Sequence, residues 1–104
     1  MYIQIISFQL KDLSEEEYSG IANEVAPAFA DVPGLLSKVW LVNSTTGTYG
    51  GIYFWSDRAA MEEFAKTELF KTVETHPNLA NITSTDFAVM DKPTKVTRGF
   101  RVID

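Results

Sequence analysis

The stretch Pro33–Trp55, PGLLSKVWLVNSTTGTYGGIYFW, decides the fold. Leu35 to Asn43 and Tyr49 to Trp55 are dense in β-branched and aromatic residues, and the Ser44-Thr45-Thr46-Gly47-Thr48 run between them has turn chemistry. The spacing predicts a β-hairpin. Apolar side chains occur at both parities of each strand, whereas an antiparallel sheet with one wet face alternates apolar and polar. Both faces of the hairpin must therefore be covered. With Gly47 near the turn centre, Trp40 is expected opposite Ile52 and Tyr53 opposite Val39, which sets the two aromatic residues on different faces.

Upstream, Tyr2 to Leu10 is a strand that is also apolar on both faces, with Ile3 and Ile5 at one parity and Tyr2, Ile6, Phe8 and Leu10 at the other. Ser14 and Glu17 form an S-x-x-E capping box, and Leu13 with Tyr18 adds a hydrophobic staple. In the helix that follows, Tyr18, Ile21, Ala22, Val25 and Phe29 make one apolar stripe suited to lie on a sheet, and Glu15, Glu16 and Glu17 suit its positive N-terminus. Pro27 falls where a helix interior would lose a hydrogen bond and clash with the Asn23 carbonyl, so a kink or an early end is expected there. Asp31-Val32-Pro33-Gly34 is turn chemistry.

Downstream, Ser56 or Asp57 caps a second helix with Met61, Phe64 and Ala65 on its buried face. Thr67 to His76 reads as a short further helix carrying Leu69, Phe70 and Val73, and Ile82 to Met90 as the last strand. The order β, α, β, β, α, β gives an α+β, ferredoxin-like domain, a four-stranded antiparallel sheet with both helices on one face. Two helices cover one face only. A homodimer packed sheet against sheet, a dimeric α+β barrel, is the economical cover for the other.

At 104 residues the chain is expected to be one domain, 1–104, with 93–104 as a C-terminal arm. Lys92, Lys95, Arg98 and Arg101 make the last thirteen residues basic, so this tail reads as an anion-binding arm, a solvated arm or a segment docking on the partner subunit. The net charge of −5 disfavours nucleic acid, because phosphate binding needs a basic surface. No apolar run is long enough to span a bilayer, and the N-terminal residues lack the features of a signal peptide, so a cytoplasmic location is expected. Without cysteine there are no thiolate nucleophiles or Cys-based metal sites.

His76 is the sole histidine, which excludes a two-histidine metal site and leaves either a helix-end residue or a single functional imidazole. Gly47-Thr48-Tyr49-Gly50-Gly51 precedes a strand, not a helix, so it is no phosphate loop; Gly50 and Gly51 instead allow close backbone approach or a bulge. Lys38 shares its parity with Leu36 and Trp40 in an otherwise apolar strand. It is either a desolvated amine able to act as acid, base or anchor for an anionic oxygen, or a guard of an edge strand that snorkels to water. Trp40, Tyr53, Phe54 and Trp55 supply aromatic walls for core or for a flat ligand.

Pro33-Gly34, Lys38-Val39-Trp40, Gly50-Gly51-Ile52-Tyr53 and later Phe87, Val89 and Pro93 resemble the signature of the YdhR-like monooxygenase family over nearly the whole chain. The resemblance implies a ferredoxin-like domain that dimerises through its sheet, and oxygenation of a phenol- or quinol-like aromatic compound without cofactor or metal. Two departures bear on pocket and lid: Trp55 stands where phenylalanine is usual, and Thr67 to Asn81 is lengthened. Haem-degrading members of the superfamily pair a late helix histidine with a first-strand asparagine and a helix tryptophan. Here His76 matches the histidine, but the first strand offers only Gln4, Ser7 and Gln9 as polar residues and the helix no tryptophan, so haem is not expected. The leading expectation has Lys38 or His76 as the catalytic group, with Trp40, Tyr53, Trp55, Phe64 and Tyr18 holding the substrate ring. Its rivals are a non-catalytic dimeric ligand-binding or stress-response protein, and an RNA-binding domain using exposed Tyr49, Tyr53 and Trp55.

Overall fold

The computed structural model describes residues 1–100. Strand β1 (Tyr2–Leu10) leads into helix α1 (Glu15–Ala30), strands β2 (Leu35–Asn43) and β3 (Thr48–Trp55), helices α2 (Arg58–Phe64) and α3 (Glu68–Glu74), strand β4 (Leu79–Ala88) and a short helix α4 (Asp91–Val96). The sheet is antiparallel with order β2-β3-β1-β4, the ferredoxin-like arrangement. Arg101 of the basic arm lies outside the described residues.

Local chemistry sets most boundaries. The Ser14 Oγ accepts from the Glu17 amide at 3.1 Å while the Glu17 carboxylate accepts from the Ser14 amide at 3.0 Å, the reciprocal capping box. Asp57 caps α2 through the Ala60 amide at 2.8 Å, and Thr67 caps α3 through the Phe70 amide at 3.2 Å. Pro27 does not end α1, which runs on to Ala30. The ring sits in the last turn, and burial of Phe29 against the sheet anchors the residues beyond it. Ala65 is exposed rather than buried, because α2 stops at Phe64 and leaves Ala65 as its cap.

Two strand expectations shift. β4 begins at Leu79, not Ile82, and stops at Ala88. Its early start rests on Asn78, whose carbonyl accepts from the Lys11 amide and whose side chain donates to the Lys11 carbonyl, both at 2.8 Å, and on Asn81 in a left-handed conformation at the Ser7/Gln9 bulge. In the hairpin, the Asn43 side chain accepts from the amides of Thr45 and Thr46, and the Gly47 amide donates to the Asn43 carbonyl. Asn43 thus pairs with Thr48, Trp40 with Gly51 and Lys38 with Tyr53. This register is one residue from the expected one, and it moves Trp40 and Tyr53 onto the same face.

That face carries the core. Ile6, Phe8, Tyr49, Tyr53 and Trp55 of the sheet meet Phe29 of α1 and Met61 and Phe64 of α2, with Leu69, Phe70 and Val73 of α3 at the margin. Tyr49, Tyr53 and Trp55 are therefore beneath the helices and cannot stack RNA bases, which removes the residues on which the RNA-binding reading stood. The opposite face presents Ile3, Ile5, Val39, Ile52 and Phe87 by the observed pairings, with Val39 39% and Phe87 55% exposed.

Candidate functional site

Between the sheet and helices α1 and α3 lies a cavity of about 230 Å³. Ile6, Phe8, Gly51 and Tyr53 form its floor, Tyr18, Val25 and Phe29 one wall, and Leu69, Val73 and His76 the other, with Lys38 and Trp40 reaching in from β2. The lining is apolar except for a few polar side chains, the usual make-up of a small-ligand site. Its volume is several water molecules' worth at ~30 Å³ each, which suits a ligand of about one ring.

Among the described residues, Lys38 is the one lysine in the cavity lining. β2 is an edge strand, yet Lys38 points to the helix face, and its Nζ lies 3.4 Å from the Trp40 ring centroid, 3.5 Å from Phe29 and 4.5 Å from Tyr53. No carboxylate pairs with it among the described residues. The geometry selects the desolvated amine over the edge guard. Gly51 makes room for it, since a Cβ there would fall 2.8 Å from Lys38 Cε. Burial pushes the Lys38 ammonium down to about 7. The ring faces pull the other way, because a cation over an aromatic face gains ~0.5–2 kcal/mol that a neutral amine does not.

The other polar groups are donors. Burial, then the neighbouring Tyr18, raises the Tyr53 hydroxyl far above its ordinary value, and burial raises Tyr18, so both stay protonated at neutral pH. His76 follows α3, and its Nδ1 accepts the Asn78 amide at 3.1 Å. With Nδ1 accepting, the ring proton sits on Nε2, which makes Nε2 a donor. Both expected catalytic residues, Lys38 and His76, line the cavity.

The expected ring-holding residues divide. Tyr18, Trp40 and Tyr53 line the cavity together with Lys38 and His76. Trp55 and Phe64 do not line it; they pack behind Tyr53, with Trp55 stacked on the Tyr53 ring at 5.9 Å and Phe64 at 5.7 Å. Trp55 is 0% exposed, and its Nε1 donates to Gln4 Oε1 at 3.1 Å, while Gln4 Nε2 donates to Ser84. Replacing Trp55 by phenylalanine strands the Gln4 oxygen and should cost about 1–3 kcal/mol, read as a lower urea midpoint. Ligand affinity of the folded variant should be unchanged; an equal loss of affinity would make Trp55 part of the site.

Phe29, Leu69 and Val73 were visible only as apolar residues of helices, and Ile6 and Phe8 only as apolar residues at one parity of the first strand. Ile6 and Phe8 share the face of Lys38 through the β1–β3 pairing, in which Ile6 lies opposite Gly51 and Phe8 opposite Tyr49. A second groove, between α1 and β2, shares Tyr18, Ala22 and Trp40 with the cavity. At its end Glu15 accepts from Ser44 Oγ at 2.6 Å and Tyr49 at 2.9 Å, which holds its carboxyl below the usual range and pins the hairpin turn to α1.

A haem does not fit this site. The cavity is below the ~300–1,000 Å³ of ordinary cofactor pockets. The polar residues of β1 are committed elsewhere, Gln4 to Trp55 and Ser84, Ser7 to Thr83, and Gln9 to Asn81.

Solved structures of similar fold include the haem degrader MhuD of Mycobacterium tuberculosis, with two haems bound (TM-score 0.70, 17% identity, 86% of this chain and 96% of that one). Others are SnoaB, a cofactor-independent oxygenase of Streptomyces nogalater (0.67, 16%, 88% and 95%), and an antibiotic biosynthesis monooxygenase homologue of Deinococcus radiodurans (0.68, 15%, 88% and 94%). At such identities the likeness is one of fold. No protein of curated function matches the chain. Over residues 3–100 the sequence itself matches the family described as "Putative mono-oxygenase ydhR", and the chain belongs to that family.

Proposed function

We propose that the chain is a cytoplasmic, cofactor-independent monooxygenase of small phenol- or quinol-like compounds. The observation that carries this reading is the Lys38 amine, seated without a counter-ion among the described residues in an aromatic-walled cavity of about 230 Å³. Family membership and the cofactor-independent oxygenase among the fold neighbours support it.

In the proposed reaction the neutral amine takes the phenolic proton, with the ring held between Trp40 and Tyr53. A phenol near 10 against an amine near 7 leaves a deficit of about three units, or ~4 kcal/mol. An ammonium and a phenolate ~4 Å apart recover about that much at an effective dielectric of ~20, which offsets the deficit of a phenol in water but not the further rise that burial brings to a hydroxyl in this cavity, as it does to Tyr53. The electron-rich phenolate then reacts with oxygen at a ring carbon. One oxygen atom is retained as a carbonyl, and the other leaves as water with the ring hydrogen and the phenolic proton. His76 Nε2 and the Tyr18 and Tyr53 hydroxyls donate to oxygens that gain charge. The test is oxygen uptake with a panel of phenols and quinols. Uptake that depends on Lys38 supports the reading, and saturable binding without turnover would favour a ligand-binding or stress-response protein.

The assembly that fits this reading is a homodimer through the open sheet face, with the exposed Val96 of the C-terminal arm, and Met90 just before it, docking on the partner. Light scattering at micromolar concentration should give twice the mass of one chain. Val39→Asp, which sets a charge on the β2 side of that face, should halve it; a monomeric wild type would end this part of the proposal.

A further inference from the structure

Among the described residues, the three rings around Lys38 are the groups its amine rests on. A lysine held by a carboxylate stays a charged ammonium and is a poor nucleophile. Lys66 and Lys71 are so held, by Glu63 at 3.0 Å and Glu68 at 3.6 Å. Lys38 has no such tether among the described residues. Once the amine loses its proton the attraction of the ring faces falls away, and a side chain of four rotatable bonds can swing its lone pair into the cavity.

Carbonyl compounds are the electrophiles such a site admits. Its walls are apolar, so an uncharged aldehyde or ketone enters without losing a shell of strongly held water, whereas a carboxylate-bearing one does not. The site also holds proton donors in Tyr18, Tyr53 and His76 Nε2 for the oxygen that must leave.

We propose that Lys38 is a nucleophilic amine that condenses reversibly with small apolar aldehydes or ketones in this cavity. Nζ bonds to the carbonyl carbon, both hydrogens of the amine leave with the carbonyl oxygen as one molecule of water, and a C=N bond remains. No electrons are exchanged, and hydrolysis returns both partners. This activity is separate from the oxygenation proposed above and stands or falls without it.

Hexanal with cyanoborohydride at pH 7 tests it, since reduction fixes any C=N bond as a stable secondary amine that peptide mass mapping locates. An exposed lysine near 10.4 holds about one neutral amine in a few thousand at that pH. Lys38 should therefore be labelled at least ~10-fold faster than Lys11, Lys66, Lys71, Lys92 or Lys95. Toluene, which competes for the cavity, should slow labelling of Lys38 alone, and glyoxylate should not select it. Labelling spread evenly over the lysines overturns the proposal, as does toluene-insensitive or glyoxylate-favoured labelling of Lys38. Every arm uses the wild-type chain, so no result is confounded by a misfolded variant. Oxygen uptake with the phenol panel, measured on an unlabelled portion of the same preparation, separates the two activities: selective labelling without uptake keeps this proposal and loses the oxygenase, and uptake with unselective labelling does the reverse.

Discussion

Gly50→Ala should leave most of the chain unfolded at ambient temperature. Gly50 sits at φ +153°, in a region L-residues rarely adopt, and a Cβ there would lie 1.9 Å from the carbonyl oxygen of Ile6 and 2.9 Å from Ser7 Cα. Those atoms are backbone of β1, the strand paired with Gly50 at the sheet centre, so no side chain can turn aside. Relief requires β1 and β3 to separate, which breaks ladder bonds and opens the floor of the cavity. The expected loss exceeds ~4 kcal/mol, a large part of the ~5–15 kcal/mol that holds a domain of this size. Gly47 is the control, at φ +69° with nothing within 4 Å of an added methyl, and its alanine variant should lose only about 1 kcal/mol. Urea melts followed by circular dichroism compare the two, and equal midpoints would refute the steric account.

The fold was legible because its signals are local and agree with one another. The Tyr2–Leu10 strand, the Ser14 box, the Asp57 cap and the Thr67 helix each rest on chemistry within a few residues. The candidate site was legible in part. Lys38 stood out as a cation at the parity of Trp40, and Phe29 as the end of the α1 stripe, but their meeting depends on which face the hairpin turns inward. That is a matter of one residue of register, set by the Asn43 side chain closing a four-residue turn, and turn composition alone placed the centre wrongly. The β4 start was hidden for a similar reason, since it depends on Asn81 adopting a left-handed conformation at a bulge. Trp55 looked like pocket because aromatic content does not tell a wall from the layer behind it. Its partner Gln4 was the available clue, a polar residue at the core parity of β1 that had to find a buried donor.

Lys38→Met should abolish oxygenation while making the protein more stable. Methionine fills the same aromatic cage with nearly the same length of chain but offers no lone pair to a phenolic proton, and loss of a general base costs ~10²–10⁴ in rate. In the wild type the rate should rise with pH through about 7 and then level, because the neutral amine is the active form. The stability effect follows from the same titration. The folded state binds the Lys38 proton less tightly than the unfolded chain, whose lysine keeps its ordinary value of 10.5. Stability from this group is therefore fully present above 10.5, falls as pH drops through the window, and is lost below about 7. At ~1.4 kcal/mol per unit the span sets a ceiling of about 5 kcal/mol, which the cation–ring attraction of ~0.5–2 kcal/mol and residual hydration reduce. The methionine variant carries no such penalty. Its advantage in urea midpoint should be largest at pH 6 and shrink steadily towards pH 10. A pH-independent difference would mean that Lys38 does not titrate in this window, and a less stable variant at pH 6 would mean that its ammonium is at home on the rings. Either result would deprive the proposed reaction of its base, since an amine that stays charged at neutral pH cannot accept the proton on which the chemistry begins.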